Sequence, residues 1–441
     1  MPDGPCSGAG AKPHCCGAVA RFDLWVTTHH FMIWPDHRLR HPMELPMAIE
    51  ENRLPRSPND DYSSEIVSDR RQWLAHRVQA ELSPLDGRAS DAHVFRGNIE
   101  NLVGTLQIPV GVAGPLHISG EAIDEAVYVP MATTEGALVA SYSRGMKAIT
   151  QSGGARTRVL SAELTAGCTF VFEGHGEASA FIAWLQEHFD TLHACATSTT
   201  RYGRLLRVDA HPVARRVFAN FVYDTADALG INMATRATAE AVAWVLDHAQ
   251  PKPTSYNLPG GLQGEKWANG RDFVQGRGRR VVAEATVSAS VLRDLLRTDA
   301  RTMHNAWLSM TLAKMQAGGL GASFHAANGA AAVMLATGQD MAYLTALTTI
   351  AVMEALPEGS LYVSIDIPTL GVGTVGGGTG LPCPKACLEI MRCTGRGSAD
   401  RLAQIIAATC IAGETSTVAA IVSGEFVGAH EELGRNRPGA T

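Results

Sequence analysis

Between Cys168 and Leu258 the chain alternates extended and helical runs in an order that few folds can accept. Cys168–Glu173, Gly203–Val208, Arg215–Val222 and Thr254–Leu258 read as short strands. Ala178–Leu192 and Ala234–His248 carry apolar residues at helical spacing. The order β-α-β-β-α-β is the ferredoxin-like arrangement. A unit of that kind closes on itself, so the flanking sequence must build a second body. We therefore expect an α+β protein in which residues 161–258 form a small inserted domain. Residues 61–160 and 259–441 form a large, mostly helical domain around a central helix. Residues 1–60 are rich in Gly, Pro, His and Arg without periodicity and read as a disordered leader. A charged amphipathic helix is expected over Ser64–Leu82.

Pro130-Met131-Ala132-Thr133-Thr134-Glu135-Gly136 puts one carboxylate at a strand-to-helix junction, between the run Ala126–Val129 and a small-residue helix from Ala137 to about Gln151. Thr133 and Thr134 are candidate N-caps, and a carboxylate in the first turn suits the helix dipole. Ser141, Arg144 and Lys147 follow at intervals of three residues and so share one ridge, with Arg156 and Arg158 beyond a Gly153-Gly154 turn. An acid followed by a basic ridge suits an anionic ligand whose reactive end lies at the acid.

Composition narrows the classes. A net charge of −6 argues against nucleic acid as the partner. Nine cysteines, an odd number without paired zinc-ligand spacing, predict reduced thiols and no metal site. The longest apolar stretch, Ala326–Leu356, is interrupted by Gln339 and Asp340 and reads as buried helices, so no membrane segment is expected.

Gly371-Val372-Gly373-Thr374-Val375-Gly376 matches a dinucleotide fingerprint after the strand-like run Leu361–Ile367. Too little chain follows for a doubly wound domain, and Gly377 and Gly378 extend the loop, so a phosphate- or ribose-contacting loop is the better reading. Asp340, among apolar neighbours, is expected to be a buried carboxylate that needs a cation or a shared proton. Lys266 sits in a Gly/Asn loop, and His325 and His430 are single histidines that alone say little.

In combination these stretches resemble the hydroxymethylglutaryl-CoA reductases, most closely the eukaryotic-type class. PMATTEG, SYSRG, GGARTRVL, HAAN, GQD, GTVGGGT and a late histidine occur in that family's order, and IENLVG…IPVGVAGPL is similar to its dimerisation segment. The resemblance covers residues 64–437. It implies NADPH-dependent, two-step reduction of a coenzyme A thioester by a cytoplasmic homodimer or dimer of dimers with its active site between subunits. An anchored form would face the cytosol at the endoplasmic reticulum.

By resemblance, Glu135, Lys266, Asp340 and His430 are the catalytic acid, lysine, aspartate and histidine. Ser141, Arg144 and Lys147 would contact coenzyme A and Arg158 the acyl part, with His325 and Asn328 also in the substrate and coenzyme A site. Ser198, Thr200, Arg201, Tyr202, Asp227, Gly230, Asn232, Gly376, Gly377, Gly378 and Arg435 would bind the cofactor. Glu135, close to a buried Asp340, is expected to hold a proton, and Asp340 to keep Lys266 charged. Two departures fall on the acyl pocket. Leu308 occupies the place of a second family lysine, and Lys314 lies roughly 240° away around a helix. Leu258–Gly264 replaces a more polar loop. They leave two alternatives: a reductase of another acyl-CoA, and a non-catalytic dimeric paralogue.

Overall fold

The computed structural model describes residues 55–60, 63–78 and 91–428. Of the expected leader only 55–60 falls among them, as irregular chain; His430 and Arg435 lie outside the described residues. The protein is mixed α+β. Its first helix, α1, spans Ser64–Val78.

Strands β1 (Val110–Gly120) and β2 (Ile123–Ala132) form an antiparallel hairpin that delivers the chain to the Glu135 junction. Helix α2 follows at Leu138–Gln151. The next strand, β3 (Ala155–Val171), is shared by two layers. Its first part runs parallel to the end of β1 and antiparallel to β7 (Gly278–Val287). Its second part, Leu164–Val171, pairs antiparallel with β5 (Arg216–Asp224), and its last residues pair with β6 (Ser255–Asn257). Burial follows this division. Exposure alternates over residues 155–158, and every residue over 164–170 is buried, as a strand covered on both faces requires.

With β4 (Arg204–Val213) beside β5, the inserted stretch has the strand order β6-β3-β5-β4, antiparallel throughout. It is backed by α3 (His175–Glu187), α4 (Phe189–Thr197) and α5 (Ile231–His248). Phe170, Phe172, Phe181 and Phe221 fill its core. The single helix expected over Ala178–Leu192 is broken in two at His188.

The larger sheet has the order β2-β1-β3-β7-β9-β8, where β8 is Ile350–Ala355 and β9 is Leu361–Leu370. Against it pack α8 (Ala300–Gln316), α9 (Ala326–Ala336) and α11 (Ser398–Val422), with α6 (Gly270–Gln275), α7 (Ala289–Asp294) and α10 (Pro382–Ile390) at the margins. Buried from Leu402 to Ala420, α11 lies between α2, α9 and the sheet. Small residues allow that closeness: a Cβ on Gly145 would lie 1.9 Å from the Ala412 carbonyl oxygen, so α2 and α11 meet backbone to backbone. Among the described residues α11 is the one helix long and apolar enough to cross a membrane, and 89% of its apolar window is buried inside the protein.

The stretch Ala326–Leu356, expected as buried helices, is helical only to Ala336. Gly338, with φ +67°, ends α9. A 3-10 turn at Met341–Thr345 follows, and the β-branched run Thr348-Thr349-Ile350 then leads into β8 beside β9.

Candidate functional site

Two cavities lie at opposite ends of α9, an 11-residue helix about 16 Å long at 1.5 Å per residue. The one at its C-terminal end measures about 640 Å³ and is lined by Gly230, Ile231, Asn232, Lys266, Asp340 and Gly376–Gly378, among others. The glycine loop is clamped from behind. Gly373 N donates to Gln339 Oε1 (2.9 Å), and Gln339 Nε2 donates to Gly373 O (2.8 Å). Thr374 N donates to the Asp227 carbonyl (2.8 Å), and Asn98 Nδ2 donates to Gly377 O (2.8 Å). On the cavity side, Gly376 and Gly377 hold positive φ (83° and 57°), and a Cβ on either would meet nothing within 4 Å. Bare backbone therefore faces open space, as a site for a phosphate-bearing ligand requires.

Lys266 and Asp340 sit at this cavity with Nζ and Oδ2 2.8 Å apart, each side chain about two-fifths exposed. Hydrogen bonding to Asp340 raises the Lys266 pKa, so the ammonium form is favoured. Lys266 holds a left-handed backbone (φ 58°), and its carbonyl accepts from the Thr345 hydroxyl. Asp340 is neither helical nor buried, contrary to expectation. It caps the 3-10 turn, its Oδ1 accepting from Ala342 N (3.0 Å), with its other oxygen left for Lys266. The partner that its apolar neighbours demanded is present, but at a surface.

The second cavity, about 490 Å³ at the N-terminal end of α9, is lined by Glu135, Ser141, Arg144, Arg297, His325 and Glu425, among others. Glu135 Oε2 accepts from Asn328 Nδ2 (3.2 Å). Thr133 Oγ1 accepts from Glu135 N (3.0 Å), and the residue before α2 is Ala137 in a left-handed conformation. Thr133 and Thr134 are therefore not N-caps, and Glu135 stands on a turn ahead of the helix. Arg144 is held by Ser416 through Nε (3.1 Å, to Oγ) and Nη2 (2.7 Å, to the carbonyl), and by Glu425 through Nη1 (2.9 Å). Ser141 Oγ lies 3.1 Å from Ser416 Oγ, and Lys147 is exposed farther along the same helix. The Tyr142 hydroxyl donates to the His325 carbonyl (2.7 Å) and lies 3.1 Å from His325 Nδ1.

Behind His325, which lines this cavity, lies a residue that sequence reasoning passed over. Glu414, on α11 and 1% exposed, accepts on Oε1 from the amides of Phe324 (2.8 Å), His325 (2.6 Å) and Ala326 (2.8 Å). It caps the N-terminus of α9 from a neighbouring helix, and burial pushes its pKa up. The signal was available: a lone carboxylate in the apolar run of α11. Arg297 and Glu425, paired at 2.5 Å, stand in unremarkable sequence and gave no such sign.

Several expected residues lie elsewhere. Arg158 pairs with Glu121 (3.0 Å) and lines neither cavity. Both Asp227 carboxylate oxygens accept from the amides of Gly397 and Ala399 (3.0 Å each), so the side chain caps α11 rather than facing the cavity. In the turn after α4, Ser198 bonds the Cys195 carbonyl, Thr200 accepts from Tyr202 N and Gly203 N, and Arg201 and Tyr202 are exposed. A Cβ on Gly203 would lie 2.5 Å from the Met233 side chain, so this turn rests on a residue that lines the larger cavity. Among the described residues no hydrogen bond or ion pair joins Glu135 to Lys266 or Asp340. Within one copy of the chain the acid and the cation occupy different cavities.

The family model for hydroxymethylglutaryl-coenzyme A reductase matches residues 66–435. The 3-hydroxy-3-methylglutaryl-coenzyme A reductase of Haloferax volcanii is 38% identical over 372 residues, covering 83% of this chain and 92% of that protein. That of Pyrococcus horikoshii is 38% identical over 375 residues, covering 83% and 91%. A class II 3-hydroxy-3-methylglutaryl-CoA reductase from Streptococcus pneumoniae, solved with NADPH bound in open conformations, superposes with a TM-score of 0.61 at 19% identity, covering 80% of this chain and 93% of that one. This last likeness is one of fold.

Proposed function

The chain belongs to the hydroxymethylglutaryl-coenzyme A reductase family, and from that premise we propose that it reduces hydroxymethylglutaryl-CoA to mevalonate and free coenzyme A, consuming two NADPH and two protons. The observation that carries the reading is the Lys266–Asp340 pair at the edge of a cavity lined by bare glycine backbone. Gly376 and Gly377 leave the room a dinucleotide phosphate needs, and Gly230 and Asn232 face the same space. NADPH, when bound, supplies both hydrides.

The chain's own groups do the rest. The Lys266 ammonium, kept charged by Asp340, stabilises negative charge as it develops on the thioester and then the aldehyde oxygen. Glu135, oriented by Asn328, donates the proton that converts the aldehyde to an alcohol. His430 protonates the departing coenzyme A thiolate. Ser141, Arg144 and Lys147 hold the coenzyme A phosphates, and His325 stands at the same cavity, which Arg158 would reach only by leaving Glu121. Ser198–Tyr202 and Arg435 complete the cofactor site, Arg435 at the ribose phosphate, and Asp227 serves it indirectly by holding the glycine loop through its carbonyl.

Acid and cation stand at opposite ends of α9, which supports a site completed between two copies, with Glu135 from one and the Lys266–Asp340 pair from its partner. Exposed Leu106, Val110, Val112 and Tyr128 on and before the β1–β2 hairpin suit a self-contact. The β6-β3-β5-β4 unit, residues 161–258, is read as the inserted ferredoxin-like, cofactor-carrying domain of this arrangement.

The test is NADPH oxidation dependent on hydroxymethylglutaryl-CoA, run beside a neutral acyl-CoA. Oxidation with the first alone is the expected result, and oxidation with neither overturns the reading. A second reading, reduction of a thioester without the distal carboxylate, is favoured by one observation. Leu308 is 40% exposed, and Lys314 Nζ is engaged over the Phe324 ring at 4.9 Å. Preference for the neutral acyl-CoA would establish it.

A further inference from the structure

Arg277 and Arg279 are both buried, and they are satisfied very differently. Arg279 contacts Asp400 (2.7 Å), the Val372 carbonyl (2.9 Å) and the Ala226 carbonyl (2.5 Å). The Arg277 side chain is 4% exposed, yet each of its contacts is long: Tyr343 Oη and the Thr165 carbonyl at 3.5 Å, and Glu265 Oε2 at 3.9 Å. Its Nε is buried without a partner. A guanidinium gains little from contacts this loose, so its own pairing does not account for its being buried.

Its position offers an account. Glu265 immediately precedes Lys266, and Tyr343 lies on the turn that Asp340 caps. Arg277 thus reaches both sides of the Lys266–Asp340 pair. The Tyr343 ring is near both cations, 5.6 Å from Arg277 Cζ and 5.8 Å from Lys266 Nζ. Glu265 and Asp340 are the carboxylates able to reach the lysine from this loop and this turn, and Arg277 takes the first of them.

We propose that Arg277 is the positioning residue of the Lys266–Asp340 pair, holding Glu265 away from the lysine so that the ammonium faces Asp340 and the cavity. The catalytic consequence rests on the reductase reading of Lys266; the positioning does not.

The test reads both separately. Arg277→Met replaces a loosely paired buried charge with an apolar chain of similar length, a change cores tolerate. Amine acylation of Lys266, followed by mass spectrometry across pH, needs no turnover. In Arg277→Met the freed Glu265 turns to Lys266 and moves the labelling midpoint up by about half a pH unit. Arg277→Met with Glu265→Gln returns it to the wild-type value. In the assay, Arg277→Met lowers kcat about tenfold with KM for the thioester within about twofold, and the double variant recovers most of the loss. An unchanged midpoint in Arg277→Met, or a shift that persists in the double variant, overturns the proposal. Should Arg277→Met not fold, Arg277→Gln with and without Glu265→Gln is judged by the same two outcomes. A wild-type protein that shows the labelling pattern but no thioester-dependent NADPH oxidation overturns the reductase reading and leaves the positioning role standing.

Discussion

Glu414 provides the sharpest test of how the protein fixes the start of α9, where His325 meets the Glu135 cavity. Three backbone amides at the start of α9 depend on one of its carboxylate oxygens, and the other oxygen is buried without a partner. Glu414→Ala removes the acceptor and orphans all three donors inside the protein. Each abandoned donor costs about 1–3 kcal/mol, eased where water enters the vacated space, so a loss of about 3–5 kcal/mol is expected. Glu414→Gln keeps an acceptor oxygen in place and removes the buried charge, so its stability stays within about 2 kcal/mol of wild type near neutral pH.

The pH dependence separates charge from geometry. Burial raises the Glu414 pKa above its ordinary 4.5, with the three amides opposing part of that rise. A carboxyl whose folded-state value is raised contributes its stability fully below the unfolded value and loses it as pH climbs through the folded one. Wild type must therefore lose stability relative to Glu414→Gln as pH rises above 4.5. Urea unfolding of both proteins from about pH 4.5 to about pH 8, at fixed ionic strength, measures the difference directly. Parallel curves would refute the buried-acid argument. A loss under about 1 kcal/mol in Glu414→Ala would refute the cap.

Asp340→Asn leaves Lys266 without its counter-charge. We expect kcat to fall about 10–100-fold and the alkaline limb of the pH–rate profile to move to lower pH, since Asp340 is what raises the lysine. Stability should change by under about 1 kcal/mol, because the pair is two-fifths exposed, and a chemical melt checks this. Gly376→Ala forces φ +83° on an alanine and places a methyl in the cavity; KM for NADPH should rise about tenfold with a smaller change in kcat. Leu308→Lys should raise kcat/KM for hydroxymethylglutaryl-CoA about tenfold and leave a neutral acyl-CoA unaffected, and equal effects on both would remove Leu308 from the acyl pocket.

The alternating runs between residues 168 and 258 were legible where a strand or helix has a one-sided or fully buried face, as β3, β5 and α5 do, which is what periodicity records; the exposed β6 was marked only by its place in the order. The β8 strand was not legible, because a short apolar run inside a longer one looks the same whether it coils or extends. The most instructive miss concerns carboxylates. The rule that an acid among apolar residues needs a partner was applied to Asp340, which the fold places at the surface, and not to Glu414, which it buries. Local sequence around both is apolar; only the long-range pairing of β8 with β9 and the packing of α11 decide which one meets water. Spacing likewise could align Ser141, Arg144 and Lys147 on one ridge, but could not show that Arg144 is held by Ser416 of α11 and by Glu425 beyond its end.

The Lys266–Asp340 pair is hard to explain as a device for stability. An ion pair exposed to this degree contributes about 0–1 kcal/mol. A left-handed backbone at a residue other than glycine costs about 1–2 kcal/mol, and Lys266 holds one. The local balance is therefore near zero or unfavourable. What the strained turn secures is direction: with φ at 58° and the Lys266 carbonyl held by Thr345, the ammonium is brought onto Asp340 at the edge of the glycine-lined cavity. A substitution that relaxed this turn, Lys266→Gly, would recover backbone freedom and lose the charge. The chemistry proposed for this cavity requires a fixed positive charge, and the strain keeps one in place there.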